Sequence, residues 1–316
     1  VAATDPGILP IGGAIVRLKA DGSVHIAANT VEIGQGNRGV LRVIASRQLR
    51  QSLSKIAVAE PDTSIAPYDW GTGASRSTVI IGLAVQYACD DIVRQVAETA
   101  AFVLGGVAAD YTLAEGLMAG NQHEISLREL FRRFQGIDSG EFIGIGRVSP
   151  SSKDGGFGLS PLFWETAASV CEIDLDRETG SIRLVRAVGA ADVGRVMNRK
   201  AAVGQDEGAM VMGMGHTFSE EYVYEDGQIV NGTLFDYHVP TIDEVPDEVV
   251  TLLIESGDGP GPDGARGMGE GALLPVAPAV ANALFRGYGI RIKTLPLTPE
   301  RVWLALHDAR QKTKGD

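Results

Sequence analysis

One carboxylate lies in the glycine-rich stretch RGMGEGALLP, residues 266–275, where Glu270 stands between two glycines. Glycines at alternate positions allow a sharp turn or a close approach of the backbone to another group. The apolar, alanine-rich run over residues 273–284 predicts a buried helix, with Pro275 in its first turn. A glutamate on such a loop fits two interpretations: a general base, or a turn residue that only favours the helix N-terminus electrostatically. The residues alone favour the second.

Two further polar loops each precede a predicted helix. They are VEIGQGN at residues 31–37 and DWGTGASRST at residues 69–78, and helices are expected over residues 38–53 and 79–104. The start of a helix presents unpaired N–H groups and the positive end of the helix dipole, which suit an anion such as a phosphate. The sequence therefore predicts three places where a loop and a helix start could hold an anionic ligand.

The elements that must position these loops mix strands and helices. Residues 12–31 predict a β-hairpin that turns at Asp21-Gly22, and residues 167–175 and 181–190 predict a second antiparallel pair. Further elements are expected as strands at residues 55–59 and 249–256, a hairpin at 221–231, and helices at 127–134, 199–215 and 299–311. Regular alternation of strand and helix is missing, which indicates an α+β fold with mixed sheets and not a doubly wound one.

A loop at residues 149–160 is the strongest candidate for a domain boundary. It would divide the chain into a first unit, residues 1–150, with the Gly-Gln-Gly and hydroxyl loops, and a second unit, residues 151–316, with Glu270. The GGFG stretch at residues 155–158 lies inside this loop.

Composition and charge argue against several classes of protein. The 316 residues are 44% hydrophobic and 22% charged, which is typical of a globular protein. A net charge of −12 argues against binding to nucleic acid or to an anionic membrane surface. No apolar run is long enough to span a bilayer, and no signal peptide is expected at Val1. The sequence has two cysteines, Cys89 and Cys171, so iron–sulfur clusters and zinc fingers are not expected. A reducing, cytoplasmic location is expected.

Familiar nucleotide-binding and catalytic motifs are missing from the sequence. It contains no P-loop and no G-x-S-x-G. The five histidines are scattered, without the i, i+4 pair of a helical metal site. Three methionines, Met210, Met212 and Met214, are expected to pack in a core.

Five stretches, taken in order, are more informative than any single motif. They are VEIGQG at residues 31–36, TGASRS at 72–77, VGQDEGA at 203–209, GMGE at 267–270 and LPLTPERV at 295–302. Together they resemble the molybdenum-binding subunit of the xanthine dehydrogenase / aldehyde oxidase family of molybdenum hydroxylases. The resemblance covers nearly the whole chain and corresponds to the second half of that subunit. The chain would then be either one part of a split subunit, as in some nicotinate dehydrogenases, or a fragment.

The resemblance implies roles for individual residues. The Glu270 carboxylate would be the catalytic base, the two glutamines would contact a molybdopterin, and the hydroxyl loop would bind its phosphates and pterin. The implied cofactor-binding residues are Gln35, Gly36, Thr72, Ser75, Ser77, Gln205 and Gly269. The resemblance implies no protein ligand to the metal.

The resemblance also implies cofactors, partners and an activity. The cofactor would be a molybdenum-bearing molybdopterin in its cytosine dinucleotide form. Iron–sulfur clusters and FAD would lie on partner chains. Another partner chain would supply the other half of the molybdenum subunit. The complex would insert a water-derived oxygen into a small substrate, an N-heteroaromatic ring or an aldehyde. The alternative is a non-catalytic scaffold or a cofactor-loading subunit that retains the fold.

Overall fold

The computed structural model describes residues 2–3, 11–120, 122–149 and 163–315. All but the first residue of the predicted boundary loop, residues 149–160, lies outside this description, as does its GGFG stretch. The division into residues 1–150 and 151–316 therefore stays a prediction.

Short strands and six α-helices make up the regular structure of the described residues. The strands are β1 Ala2–Ala3, β2 Gly12–Lys19, β3 Val24–Ala27, β4 Ile56–Val58, β5 Tyr111–Ala114, β6 Leu117–Gly120, β7 His123–Ser126, β8 Glu141–Val148, β9 Trp164–Glu165, β10 Ala167–Leu175, β11 Ile182–Asp192, β12 Tyr224–Glu225, β13 Gln228–Ile229 and β14 Glu248–Ile254. The helices are α1 Asn37–Leu49, α2 Ser77–Leu104, α3 Leu127–Gln135, α4 Arg199–Phe218, α5 Val276–Tyr288 and α6 Pro299–Gly315.

The strands form several separate sheets, which confirms the α+β class. The larger sheets have the orders β4-β3-β2-β8 and β10-β11-β14. Each contains one parallel pair, β3 with β4 and β11 with β14, and a helix lies in each connection. Two isolated βαβ units are thus present within a largely antiparallel fold, and the sequence did not predict them.

The first sheet positions the hydroxyl loop because α2 lies directly on its backbone. A Cβ on Gly146 would come within 1.7 Å of the Ala84 carbonyl oxygen, and one on Gly144 within 1.9 Å of that of Ala88. Only glycine allows so close an approach of helix to strand. The sheet therefore fixes α2 and, with it, the loop that ends at Ser77.

The second sheet packs its inner face against α4, α5 and α6 in a second apolar core. Val276, Val280 and Leu284 of α5 are fully buried in it. Met210 and Met214 of α4 also lie there, as predicted, but Met212 is 62% exposed, so the prediction is wrong for that residue. Met212 falls on the opposite face of the helix because alternate residues do not share a helix face.

Several predicted boundaries are corrected by the structure. Helix α1 ends at Leu49 and not at residue 53, because Arg50 takes a left-handed conformation with φ 48°. Helix α5 begins at Val276, so Pro275 is its N-cap and not a residue of its first turn. Strands β5 to β8 had no predicted counterpart, and the first three form a separate small sheet.

Candidate active site

Ser75 and Glu270 meet at the centre of the candidate site. Ser75 Oγ donates a hydrogen bond of 3.0 Å to Glu270 Oε2 across a separation of 195 positions in the chain. The two loops touch through their backbones: a Cβ on Gly267 would lie 1.9 Å from the Ser75 carbonyl oxygen, and one on Gly269 would lie 3.1 Å from Ser75 Oγ. The alternate glycines therefore allow a close approach of one loop to the other.

One of the two sequence interpretations required Glu270 to lie at a helix N-terminus, and in the structure it does not. Five residues separate it from Val276, where α5 begins. The electrostatic effect of a helix dipole is confined to the first turn. The interpretation of Glu270 as a helix-dipole residue therefore loses its basis.

The hydroxyl loop is held from inside by a buried ion pair. Arg76 and Asp69 are joined at 2.6 Å, and both side chains are only 1% exposed. Arg76 also donates to the carbonyl oxygens of Gly71, at 2.6 Å, and Ile11, at 3.0 Å. The loop they hold contains Ser75 at φ 52°, a left-handed conformation that costs about 1–3 kcal/mol for a non-glycine residue. The ion pair thus fixes a strained loop that presents the Ser75 hydroxyl to Glu270.

Gln205 also contacts the loop that carries Glu270. Its Nε2 donates to the Gly269 carbonyl oxygen at 3.0 Å. Helix α4 starts at an N-cap, Asn198, whose side chain accepts from the Ala201 N–H at 3.2 Å. Its next turn is tied to β14 through Asp206, which is fully buried and accepts from Thr251 at 2.9 Å. Gln205 is therefore held by a helix that is capped and fixed to the second sheet.

The Gly-Gln-Gly loop is closed by its own side chains. Glu32 accepts from the N–H groups of Gly34, Gly36 and Arg38 at 2.8–3.3 Å. Gln35 folds back, accepting from Ile33 N–H at 2.7 Å and donating to the Val31 carbonyl oxygen at 2.9 Å. The start of α1 therefore does not offer the open N–H groups that the sequence predicted, because a carboxylate of the chain already occupies them.

Thr72 and Ser77 join the first two loops through hydroxyl groups. Thr72 donates to the Val31 carbonyl oxygen at 2.8 Å. The buried Thr30 hydroxyl lies 3.3 Å from that of Thr72 and donates to Ser77 Oγ at 3.4 Å. Polar atoms of all three predicted loops are therefore close to one another.

A cavity of about 230 Å³ lies between these loops. Seven of the eight predicted site residues line it: Gln35, Thr72, Ser75, Ser77, Gln205, Gly269 and Glu270. Gly36 is not among the lining residues, and its N–H donates to Glu32. No side chain caps the first turn of α2, so N–H groups at that helix start remain available beside the cavity.

The charged residues of the site that the sequence analysis missed include Glu165 and Arg195. Glu165 is only 3% exposed and lies behind the Glu270 loop, accepting from the Glu270 N–H at 3.4 Å. Burial raises the pKa of Glu165, and the negative charge of Glu270 raises it further. Arg195 lines the cavity, is exposed, and makes no hydrogen bond or ion pair with any residue that the structure describes.

The signal for Glu165 was present in the sequence. The inward-facing residues of β10 alternate, and the same phase extended towards the N-terminus reaches Glu165. A glutamate on the apolar phase of a strand is rarely buried without a partner. Arg195 gave no comparable signal, because an arginine in a loop is usually solvent-exposed.

Metal-binding and membrane-spanning features are not found in the described part of the chain. No group of three or more His, Cys, Asp or Glu side chains is placed to hold a metal ion there. The helices within the same residues are too short or too polar to cross a bilayer. Burial raises the pKa of both thiols, that of Cys171 to about 11.

Comparisons with known proteins find relatives that are named as oxidases and dehydrogenases. It is 29% identical over 296 residues to "Probable hypoxanthine oxidase XdhD" of Escherichia coli (strain K12), a match that covers 92% of this chain and 30% of that protein. It is 29% identical over 306 residues to the "6-hydroxypseudooxynicotine dehydrogenase complex subunit gamma" of Paenarthrobacter nicotinovorans, covering 94% and 37%. The chain thus spans about a third of the length of these relatives.

The fold comparison agrees with the sequence comparisons. The structure matches quinoline 2-oxidoreductase from Pseudomonas putida 86 with a TM-score of 0.82 and 24% identity, covering 94% of this chain and 38% of that one. Residues 2–246 match the family described as the molybdopterin cofactor-binding domain, and the matched stretch ends before the loop that carries Glu270. The chain therefore belongs to the molybdopterin cofactor-binding domain family.

Proposed function

We propose that this chain is one part of a molybdenum hydroxylase that transfers a water-derived oxygen to an electron-poor carbon of an N-heteroaromatic ring or an aldehyde. The observation that carries this proposal is the contact between Ser75 and Glu270 at the cavity. Within the residues that the structure describes, one hydroxyl engages this loop carboxylate, which faces the cavity and can accept a proton there.

The cavity wall fits a cofactor that is anionic and rich in heteroatoms. Hydroxyls of Thr72, Ser75 and Ser77 and the amide of Gln205 supply neutral polar groups, and Arg195, which pairs with no residue that the structure describes, supplies a cation. The uncapped start of α2 adds backbone N–H groups and a positive dipole end. We propose that these groups bind a molybdopterin, in its cytosine dinucleotide form, with the phosphates nearest α2 and Arg195.

Within such a site, this chain would supply proton chemistry and orientation. When bound, the molybdenum cofactor supplies the redox centre that accepts two electrons from the substrate. Glu270 would remove the proton of the attacking oxygen, Ser75 would orient the Glu270 carboxylate, and Gln205 would fix the loop through Gly269. The electrons would leave through iron–sulfur and FAD subunits.

An exposed apolar sheet face supports the proposal of partner chains. The outer face of the second sheet carries Ala168, Ala190 and Leu252 in one row and Val170, Val188 and Val250 in the next. Val170 is 70% exposed and Leu252 is 53% exposed. Outside this sheet, Leu234, Phe235 and Ile242 are 83–95% exposed. An apolar face of this kind marks a protein contact.

We propose that a second polypeptide, carrying the rest of a large molybdenum subunit, covers this face. The chain spans only about a third of its relatives, so most of such a subunit lies outside the matched part. One end of the sheet face is closed by a polar rim, where Arg186 pairs with Glu248 at 2.9 Å. An apolar centre with a polar rim is the usual anatomy of an interface.

Elemental and nucleotide analysis of the complex tests the proposal. The complex is purified from its native host through a tag on this chain, and its molybdenum, iron, flavin and pterin nucleotide are measured. We expect molybdenum, iron and FAD together with a second large-subunit chain. A metal-free and flavin-free chain recovered alone would contradict the hydroxylase and favour the scaffold; a chain recovered alone with a pterin would favour cofactor loading.

The substrate class is tested on the same complex. Two relatives are named for hypoxanthine and for 6-hydroxypseudooxynicotine, which favours an N-heteroaromatic compound as substrate. Dye-linked oxidation of pyridine- and quinoline-type rings is therefore compared with that of aromatic aldehydes. Faster turnover of the aldehydes would reverse this assignment and leave the hydroxylase proposal intact.

A further inference from the structure

Glu165 is a buried carboxylate that the proposed chemistry does not use. It belongs to β9, follows the exposed Trp164, and is 3% exposed. Its Oε2 accepts from the Glu270 N–H at 3.4 Å, and the Gly271 N–H also donates to this carboxyl. A Cβ on Gly271 would lie 3.0 Å from Glu165 Oε2, so the loop backbone rests on this side chain.

The two N–H groups of this loop need an acceptor. A buried N–H without a partner costs about 1–3 kcal/mol. Glu270 is the nearest carboxylate in sequence to both groups, and a carboxylate readily folds back onto N–H groups of its own loop. In this structure Glu165 accepts from them, and the Glu270 side chain faces the cavity and Ser75.

We infer that Glu165 is a positioning residue: by accepting the N–H groups of Glu270 and Gly271, it keeps the Glu270 carboxylate turned out towards the cavity. Only the use of Glu270 as a base rests on the proposed function; the orientation of its carboxylate does not. The position itself is a property of three residues of this chain and can be measured without turnover.

The surroundings of Glu165 support this assignment. Its carboxyl is also within hydrogen-bonding range of the Ser75 hydroxyl, the group that binds Glu270. Burial raises the pKa of Glu165. In either protonation state, Glu165 has a carboxyl oxygen that can accept from N–H groups. Glu165 thus supports both Glu270 and its hydroxyl partner.

Two variants of similar volume test the inference. Glu165→Gln keeps an acceptor oxygen for the N–H groups, and Glu165→Met fills the space without one. Each is introduced into the whole complex, produced with and without cofactor. Crystal structures of the cofactor-free complexes report the distance from Ser75 Oγ to Glu270 Oε2, and steady-state kinetics of the loaded complexes report kcat and KM.

We expect Glu165→Gln to keep the Ser75–Glu270 hydrogen bond and most of the turnover. In Glu165→Met we expect the Glu270 carboxylate to fold back onto its own loop, with kcat falling roughly 10- to 100-fold while KM and molybdenum content stay unchanged. An unmoved Glu270 in Glu165→Met would overturn the inference. Loss of the hydrogen bond in Glu165→Gln as well would overturn it too, because the acceptor oxygen would then not be what matters.

These results separate the inference from the proposed function. If Glu270 moves in Glu165→Met while the wild-type complex has no hydroxylase activity, the positioning role stands and the proposed function fails. If Glu165→Met does not fold, hydrogen exchange of residues 267–273 in the Glu165→Gln and wild-type complexes still decides. Equal protection supports the acceptor role, and loss of protection in Glu165→Gln contradicts it.

Discussion

Two glycine loops of this protein each carry a glutamate, and the two glutamates are used differently. Glu32 accepts from three N–H groups around its own loop, those of Gly34, Gly36 and Arg38. Glu270 accepts one hydrogen bond from a distant hydroxyl, that of Ser75, and the N–H groups of its loop go to Glu165. The loops look alike in sequence, but only the second presents its carboxylate to the cavity.

The difference shows what makes a loop carboxylate available for chemistry. Backbone N–H groups in a glycine turn require an acceptor, and a glutamate within the turn is the nearest one. Glu32 meets that requirement itself and so stabilises the start of α1. Glu270 does not have to meet this requirement, because Glu165 of β9 supplies a second carboxylate.

The largest expected effect separates the two glutamates by turnover. Glu270→Gln removes the proposed base but keeps the volume and a hydrogen-bond acceptor. We expect turnover to fall by about 10²- to 10⁴-fold, with molybdenum content and melting temperature near those of wild type. Glu32→Gln is the matched control, with turnover per folded complex near the wild-type value. Equal losses of turnover in both variants would show that the loops are not functionally different.

The next effect concerns the buried ion pair that supports Ser75, the residue that donates to Glu270. Asp69→Asn leaves the buried charge of Arg76 without its partner, and loss of one partner of a buried pair costs about 3–5 kcal/mol. We expect thermal unfolding to show this destabilisation. Glu141→Gln breaks the partly exposed pair with Arg17 and is the control, with an expected loss below about 1 kcal/mol. Similar losses would mean that the Arg76 pair is not a rigid support.

A smaller effect is expected where the glutamate serves its own loop. Glu32→Ala leaves three N–H groups at the start of α1 without their acceptor. The closest analogue is loss of an N-cap, which costs about 1 kcal/mol. Urea unfolding measures this loss, and Glu32→Gln should recover part of it through its amide oxygen. A Glu32→Ala variant as stable as wild type would contradict the capping role.

The sequence could predict the elements more readily than the contacts between them. Local sequence patterns were sufficient to predict α2, the hairpin at Asp21-Gly22 and the order of the loops. The contact of Ser75 with Glu270 joins distant parts of the chain and depends on Gly267 packing against a backbone, which no local pattern contains. For the same reason the resemblance assigned Ser75 to the cofactor and did not predict its bond to Glu270.

Burial also explains what the sequence analysis missed. Arg76 was not singled out because an arginine in a polar loop is usually exposed, and here it is 1% exposed through its pairing with Asp69. The occupied N–H groups at the start of α1 were predicted to be open, because the pattern of the loop does not tell which way Glu32 turns. Side-chain direction within a loop is set by tertiary contacts.

The smallest expected effect is a pH dependence of folding stability that distinguishes the buried Glu165 from exposed carboxylates. Burial raises the pKa of Glu165 in the folded protein above the value of about 4.3 expected when it is unfolded. Below that value both states are protonated, and Glu165 adds no pH dependence. As the pH rises, the unfolded chain releases the proton first, so the stability of the wild type falls until the pH reaches the folded pKa. Glu165→Gln does not titrate, and its stability relative to wild type should therefore rise as the pH increases above about 4.

Two further variants check the sign of this effect. Burial raises the pKa of Asp206 as well, so Asp206→Asn should behave like Glu165→Gln. The Glu178 N–H lowers the pKa of the exposed Asp176, so that carboxylate stabilises the fold at neutral pH and loses the contribution as the pH falls. Asp176→Asn should therefore be less stable than wild type near pH 7 and equal to it near pH 2. Melting temperatures across this pH range measure all three variants. A flat difference for Glu165→Gln would show that the pKa of Glu165 is the same in the folded and unfolded states, and it would contradict the prediction.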